Sequence, residues 1–321
     1  MLFSSKFRVF EEEIADGGQI HGFTGSSAVW QRNIPALSKS YRIIAPDLRG
    51  HGWSDKPTHG YHVSRLAMDL QELIIHLQSD VSWHRAEERL KPDSTIKALG
   101  GSLGCSILWC YAELFTTKPF THMIFVDQSP LQNSTLDGWD SRFCNRGMNY
   151  APAVAALQTT LALSPETAHK GTIAACLSYR SHPLATDNVS SKTCADDEAF
   201  FLSEAMKGNS KWYGQLMADH TALDWRDSIS ASFGPKSGSK TKVLVVASSR
   251  SGCFPAEGPM KVVEFVNGEL DNKDDDGYYG SSKKLDGMKA GGVVIDWGGH
   301  WCYWEKPDMF NKLVLDFLEE R

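Results

Sequence analysis

Short apolar runs of strand length alternate along the chain with longer stretches whose apolar residues recur at helical spacing. The strand-like runs fall near residues 7–12, 41–46, 95–99, 122–126, 242–247 and 292–296. Among the helical stretches, Val63 to Leu77 puts Leu66, Leu70, Leu73, Ile74 and Leu77 on one face. A final amphipathic stretch runs from Asp308 to Glu320. This alternation predicts an α/β fold, with a mostly parallel central sheet covered by helices on both faces. No internal repeat is present.

Two parts of the chain depart from simple alternation. The interval from Pro130 to about Lys240 is too long for a crossover. It carries helical signals over Ala151–Leu163, Pro165–Tyr179, Asp196–Lys207 and Ser210–His220. The expected organisation is therefore a core of residues 1–130 and 241–321, with a helical cap, or lid, inserted over 131–240. Most of the cap's aromatic and methionine side chains, Phe200, Phe201, Trp212 and Tyr213 among them, are expected to pack it onto the core. Roughly a third are left to line a substrate pocket. At the other end, the stretch Glu11 to Ile20 is charged and glycine-rich, poor material for a buried central strand. The N-terminal strands are expected to be reduced: either the sheet lacks one or two of them, or Phe7 to Glu12 substitutes. A second insertion, Gly268 to Gly291, contains Asp274-Asp275-Asp276-Gly277. No closing glutamate follows at calcium-loop spacing, so a solvated loop is expected.

The chemistry centres on Ser102, in Gly100-Gly101-Ser102-Leu103-Gly104, between the strand-like run ending at Leu99 and the helix-like run Cys105 to Phe115. A serine on such a strand–turn–helix is held out of the sheet with its hydroxyl exposed. The small residues two positions either side let the strand and helix backbones approach closely. A serine nucleophile needs a base, an orienting acid and an oxyanion hole. The candidate base is His300, in a Gly-Gly loop after the strand Val293-Val294-Ile295. The backbone N–H groups of Phe23, in His21-Gly22-Phe23-Thr24-Gly25, and of Leu103 are the candidate oxyanion hole.

HGFTGS, APDLRGHGWSDKP, GGSLG and DWGGHWCYWEKP together resemble the landmarks of the α/β-hydrolase superfamily, in that family's order. The resemblance is to the subgroup of esterases, lactonases, C–C hydrolases, cofactor-free haloperoxidases, dehalogenases and epoxide hydrolases. The last two use aspartate at the elbow, and serine here argues against both. In most relatives the acid follows the strand equivalent to 242–247, but that place holds Ser251. Some relatives carry it one strand earlier, where Asp127 directly follows Val126. Asp127 is the expected acid, with Glu257 in reserve and an acid-free dyad as the third arrangement. His21, Asp47 and His51 are expected to shape loops, and Asp296 to cap the histidine loop. The resemblance implies hydrolysis of a small-to-medium apolar ester or lactone through an acyl-enzyme. Acyl transfer and C–C hydrolysis on the same triad remain open, as does a non-catalytic ligand-binding homologue.

The 321 residues suffice for one large domain with an insertion, and 41% hydrophobic content permits a full core. A net charge of −6, without a basic stripe, argues against nucleic acid as partner. Seven irregularly spaced cysteines form neither a disulfide framework nor a metal motif, so no metal or cofactor is expected. The first residues lack the apolar core of a signal peptide, and no run has the length of a membrane span. The expectation is a cytoplasmic protein acting on a small molecule. The sequons at Asn133 and Asn188 are expected to be unused.

Overall fold

The computed structural model describes residues 8–10, 16–79, 95–268 and 289–320. Its strands are β1 (Arg8–Phe10), β2 (Asp16–Ile20), β3 (Arg42–Ala45), β4 (Ile96–Gly101), β5 (Phe120–Val126), β6 (Lys242–Ser248) and β7 (Ala290–Ile295). They form one sheet of order β1-β3-β2-β4-β5-β6-β7. β1 pairs antiparallel with β3 at one edge, and every other pairing is parallel.

The apolar runs make sense once both faces of the sheet are seen. Successive side chains of a strand point to opposite faces. In β6, Val243 and Val245 enter one core, with Met260, Val262 and Phe265 of α10 (Glu257–Asn267). Leu244 and Val246 enter the other, with Phe310, Val314 and Phe317 of α12 (Pro307–Leu318). The first face is also covered by α2 (Val63–Ser79), α3 (Leu103–Phe115) and α9 (Arg226–Phe233). The second is also covered by α1 (Ile34–Leu37) and α11 (Cys302–Glu305).

The N-terminal expectation needs correction. Phe7 to Glu12 does not take the central place, because its described part is the edge strand β1. The central place goes to β2, the glycine-rich segment itself, which lies between β3 and β4. Branched neighbours supply the bulk that Gly17 lacks: a Cβ there would lie 3.3 Å from Ile43 Cδ1. The acidic segment 274–276 lies outside the described residues.

Between β5 and β6 come α4 (Ala151–Leu163), α5 (Pro165–Cys176), α6 (Ser178–Ser181), α7 (Ser191–Ala205), α8 (Ser210–Ala222) and α9. The helix predicted over Pro165–Tyr179 breaks at Leu177, which is extended (φ −90°, ψ 124°). Glu305 accepts the Ser178 N–H and hydroxyl, so a contact distant in sequence displaces the next helical turn. α7 begins before the predicted Asp196, because the Ser190 hydroxyl caps the Thr193 N–H. Phe201 stacks on Trp301 at 3.7 Å between centroids, Phe200 on Trp304 at 4.2 Å, and Trp212 on Tyr61 at 5.2 Å. These side chains pack the insertion onto the core. Where the chain leaves the insertion for the core, Arg226 pairs with Asp224 and Asp137. Among the described residues no helix is long and apolar enough to cross a membrane.

The approach of α3 to the sheet leaves no room for side chains at two glycines. A Cβ on Gly100 would lie 2.6 Å from the Gly104 carbonyl carbon, and one on Gly104 would overlap the Ile20 carbonyl oxygen. Gly104→Ala is expected to destabilise the fold by about 1–3 kcal/mol, lowering the urea midpoint. Gly171→Ala, on an exposed turn of α5 with nothing within 4 Å, is expected to stabilise by up to about 1 kcal/mol. Equal behaviour of the two variants would contradict the close approach.

Candidate active site

Ser102 and Asp127 each occupy the first position after a strand, and both are turned into the left-handed region (φ 52° and 49°). The cause is the parallel ladder. The Ser102 N–H donates to Val126 O at 3.0 Å, and the Asp127 N–H donates to Val246 O at 2.7 Å. Each backbone is held by its neighbour for one residue more and then has to turn at once. This leaves both side chains at the carboxyl ends of adjacent strands, where open α/β sheets place their sites.

Asp127 has both carboxylate oxygens engaged. Oδ1 accepts the Ser248 N–H at 3.0 Å, and Oδ2 accepts from His300 Nδ1 at 2.6 Å. The acid and the base of the sequence reading therefore meet, and both are buried. Glu257, the reserve acid, is an exposed residue at the start of α10. Ser251, in the usual acid position, instead accepts the N–H groups of Cys253 and Phe254. The histidine loop is held by Glu305, which accepts the Gly299 N–H at 2.7 Å, and not by the expected Asp296, which is exposed.

The loop bearing Phe23 lies against Ser102: a Cβ on Gly22 would be 3.1 Å from the Ser102 Cβ. His21 shapes that loop. Its Nε2 accepts the Leu48 N–H at 2.9 Å, which leaves Nδ1 to donate to Gly22 O at 2.8 Å. Burial lowers its pKa and favours this neutral form. Asp47 accepts the N–H groups of Ser27 and Trp53, each at 2.7 Å, and so pins the neighbouring loop. The N–H groups of Phe23 and Leu103 make no hydrogen bond to any described residue.

Two neighbours were not visible in the sequence reading. Ser102 Oγ donates a long hydrogen bond of 3.4 Å to Gln128 Oε1, and makes none to His300. Cys253 lies beside His300, with its Sγ 3.6 Å from that of Cys176. Position after a strand end could have drawn attention to Gln128. The approach of Cys176 and Cys253 has no local signal. Burial opposes charging of the His300 ring, but Cys253 and Asp127 outweigh it and raise its pKa. Cys253 is lowered in turn, by Cys176 first and by His300. His220, also near, is pushed down to about 4 by burial and is neutral at pH 7.

A sequence profile of the alpha/beta hydrolase fold matches residues 20–307. The chain belongs to that family. A soluble epoxide hydrolase from Corynebacterium sp. is 44% identical over 61 residues, 19% of this chain and 21% of that protein. The matched stretch is thus about a fifth of that curated relative's length. An esterase from Exiguobacterium antarcticum superposes with a TM-score of 0.72 at 16% identity, over 98% of this chain and 96% of the other. An enol-lactonase from Burkholderia xenovorans gives 0.68 at 15%, with the same coverage. These two likenesses establish the fold.

The His300 ring is expected to titrate above the ordinary imidazole value near ~6.5, followed by its NMR chemical shifts. Removing the Cys253 thiol should lower that pKa, so in Cys253→Ala the ring is expected to lose its proton at a lower pH. An unchanged titration would remove Cys253 as a cause.

Proposed function

We propose that this protein is a serine hydrolase acting on a small-to-medium apolar ester or lactone through an acyl-enzyme. The observation that carries the reading is the forced turn at Ser102, beside an unpartnered pair of N–H groups and within the same strand-end cluster as the His300–Asp127 pair. Ser102 Oγ attacks the substrate carbonyl. His300, acting as the neutral ring that forms once the pH rises toward its raised pKa, takes the hydroxyl proton and returns it to the leaving group, and Asp127 orients the ring through Nδ1. The N–H groups of Phe23 and Leu103 receive the oxyanion, with the start of α3 adding its positive end. Water then releases the acid.

In the free protein the Ser102 hydroxyl rests on Gln128, so the bond to His300 has to form when substrate binds. Catalytic hydrogen bonds commonly tighten only at that stage. The insertion 131–240 serves as the lid. Tyr213 of α8 supports this role, since its ring lies 5.5 Å from that of Phe23, edge to face. Seven free cysteines suit a cytoplasmic setting.

The test is hydrolysis of short and medium p-nitrophenyl esters, together with labelling by a fluorophosphonate probe. Ser102→Ala should lose labelling and at least about 10³-fold in kcat, with its thermal midpoint nearly unchanged. Retained turnover in that variant would sink the mechanism. A folded wild type that neither labels nor turns over would favour a ligand-binding homologue. Asp127→Asn is expected to keep the fold and lower kcat by about 10⁴-fold, measured on the same esters. A near-normal rate would leave His300 without need of an acid.

A further inference from the structure

The end of α5, the loop after β6 and the loop after β7 bring three metal-binding side chains to one point. Sγ of Cys176, Sγ of Cys253 and a ring nitrogen of His300 all lie within 4.8 Å of one another. We propose that these three residues form a zinc(II) site which, when filled, takes the base away from Ser102. The binding claim stands on the geometry alone. The inhibitory consequence rests on the serine-hydrolase reading.

Spacing is the first support. A tetrahedral zinc with Zn–S near 2.3 Å and Zn–N near 2.0–2.1 Å holds its donors roughly 3.6–3.8 Å apart. The two sulfur atoms already stand at 3.6 Å. The chain around them is fixed before any metal arrives. Gly252 N–H donates to Ala175 O at 3.0 Å, which ties the two cysteine-bearing segments together one residue before each sulfur. Trp301 N–H donates to Cys176 O at 3.2 Å and Arg146 N–H to Cys253 O at 2.8 Å.

The donor set and its outer partner give the second support. Two thiolates and an imidazole suit zinc, and disfavour calcium or magnesium, which prefer oxygen. His300 Nδ1 is bonded to the Asp127 carboxylate, the outer partner that zinc-bound histidines commonly have. Nε2 is then the nitrogen left for the metal, and it is the atom that the proposed mechanism needs to accept the serine proton. Three protein ligands leave a fourth position for water. On binding, the metal displaces one proton from each thiol to solvent, and His300 binds as the neutral ring. Cys176 and His300 are buried while Cys253 is half-buried, so entry is from the Cys253 side.

Cobalt(II) is the probe. The full chain, reduced and desalted without oxygen, is titrated with Co(II) and followed by absorption. The expected result is tetrahedral d–d bands with sulfur-to-cobalt charge-transfer bands, saturating at one equivalent and displaced by Zn(II). Cys176→Ser and Cys253→Ser should each lose part of the charge-transfer intensity, and the double variant all of it. Cys144→Ser, altered at a buried thiol elsewhere, should retain it, and circular dichroism checks that each variant is folded. Asp127→Asn should weaken zinc affinity about 10–100-fold. No charge-transfer band in reduced wild type would overturn the site, as would a band that survives the double variant. In the activity arm, one equivalent of Zn(II) should abolish ester hydrolysis by wild type, with recovery on adding a chelator. Hydrolysis unaffected by bound zinc would overturn the inhibitory role. Spectra showing the site in a protein without esterase activity would uphold binding and refute only the serine-hydrolase reading.

Discussion

The parallel ladder at the carboxyl ends of β4, β5 and β6 governs where everything else in the site can be. Val126 O holds the Ser102 N–H and Val246 O holds the Asp127 N–H, so two adjacent strands stop in register. Both residues then take φ near +50°, a region that costs a side-chain-bearing residue roughly 1–3 kcal/mol. The ladder and the packed helix behind Ser102 over-determine the turn and hold that strain. Gly100 and Gly104 are what let the helix come that close.

From that fixed edge, the remaining groups are placed by loops braced from elsewhere. Asp47 and His21 hold the loops beside Phe23, while Glu305 and Ser248 hold the loop that carries His300. Ser248 accounts for two of these restraints: its N–H donates to Asp127 and its hydroxyl to Gly298 O. Asp127 and the histidine loop are thus tied to the same strand end. Asp127, just after β5, and Cys253, in the loop after β6, both reach the same His300 ring. The loop after β6 carries Ser251 as a turn-maker and Cys253 as a neighbour of His300.

The insertion is bound to the core by aromatic stacking, by Glu305 and by ion pairs and hydrogen bonds such as Arg32–Asp197 and Ser26–Glu204. Phe200 and Phe201 cover Trp304 and Trp301, which flank the histidine loop. Glu305 takes donors from both Ser178 and Gly299. The insertion is therefore in direct contact with the segment bearing His300. The same junction brings Cys176 to Cys253.

Local pattern was enough to identify the strands near 95–99, 122–126 and 242–247, the elbow serine and the loop histidine, while the aspartate after Val126 was singled out through the resemblance to α/β-hydrolases. Each of these depends on residues contiguous in the chain: an apolar run, a tight turn, a helix start. The order of β2 within the sheet was not legible, because a glycine-rich strand derives its stability from Ile43 and other neighbours rather than from its own side chains. Nor was the break at Leu177, the replacement of Asp296 by Glu305, the rest position of the Ser102 hydroxyl, or the meeting of Cys176, Cys253 and His300. Those depend on groups from distant segments competing for the same hydrogen bonds and volume, and only the closed fold brings those segments together. The sequence by itself determined which reactive groups the chain carries and where each falls along it, and the tertiary structure decided which of those groups touch.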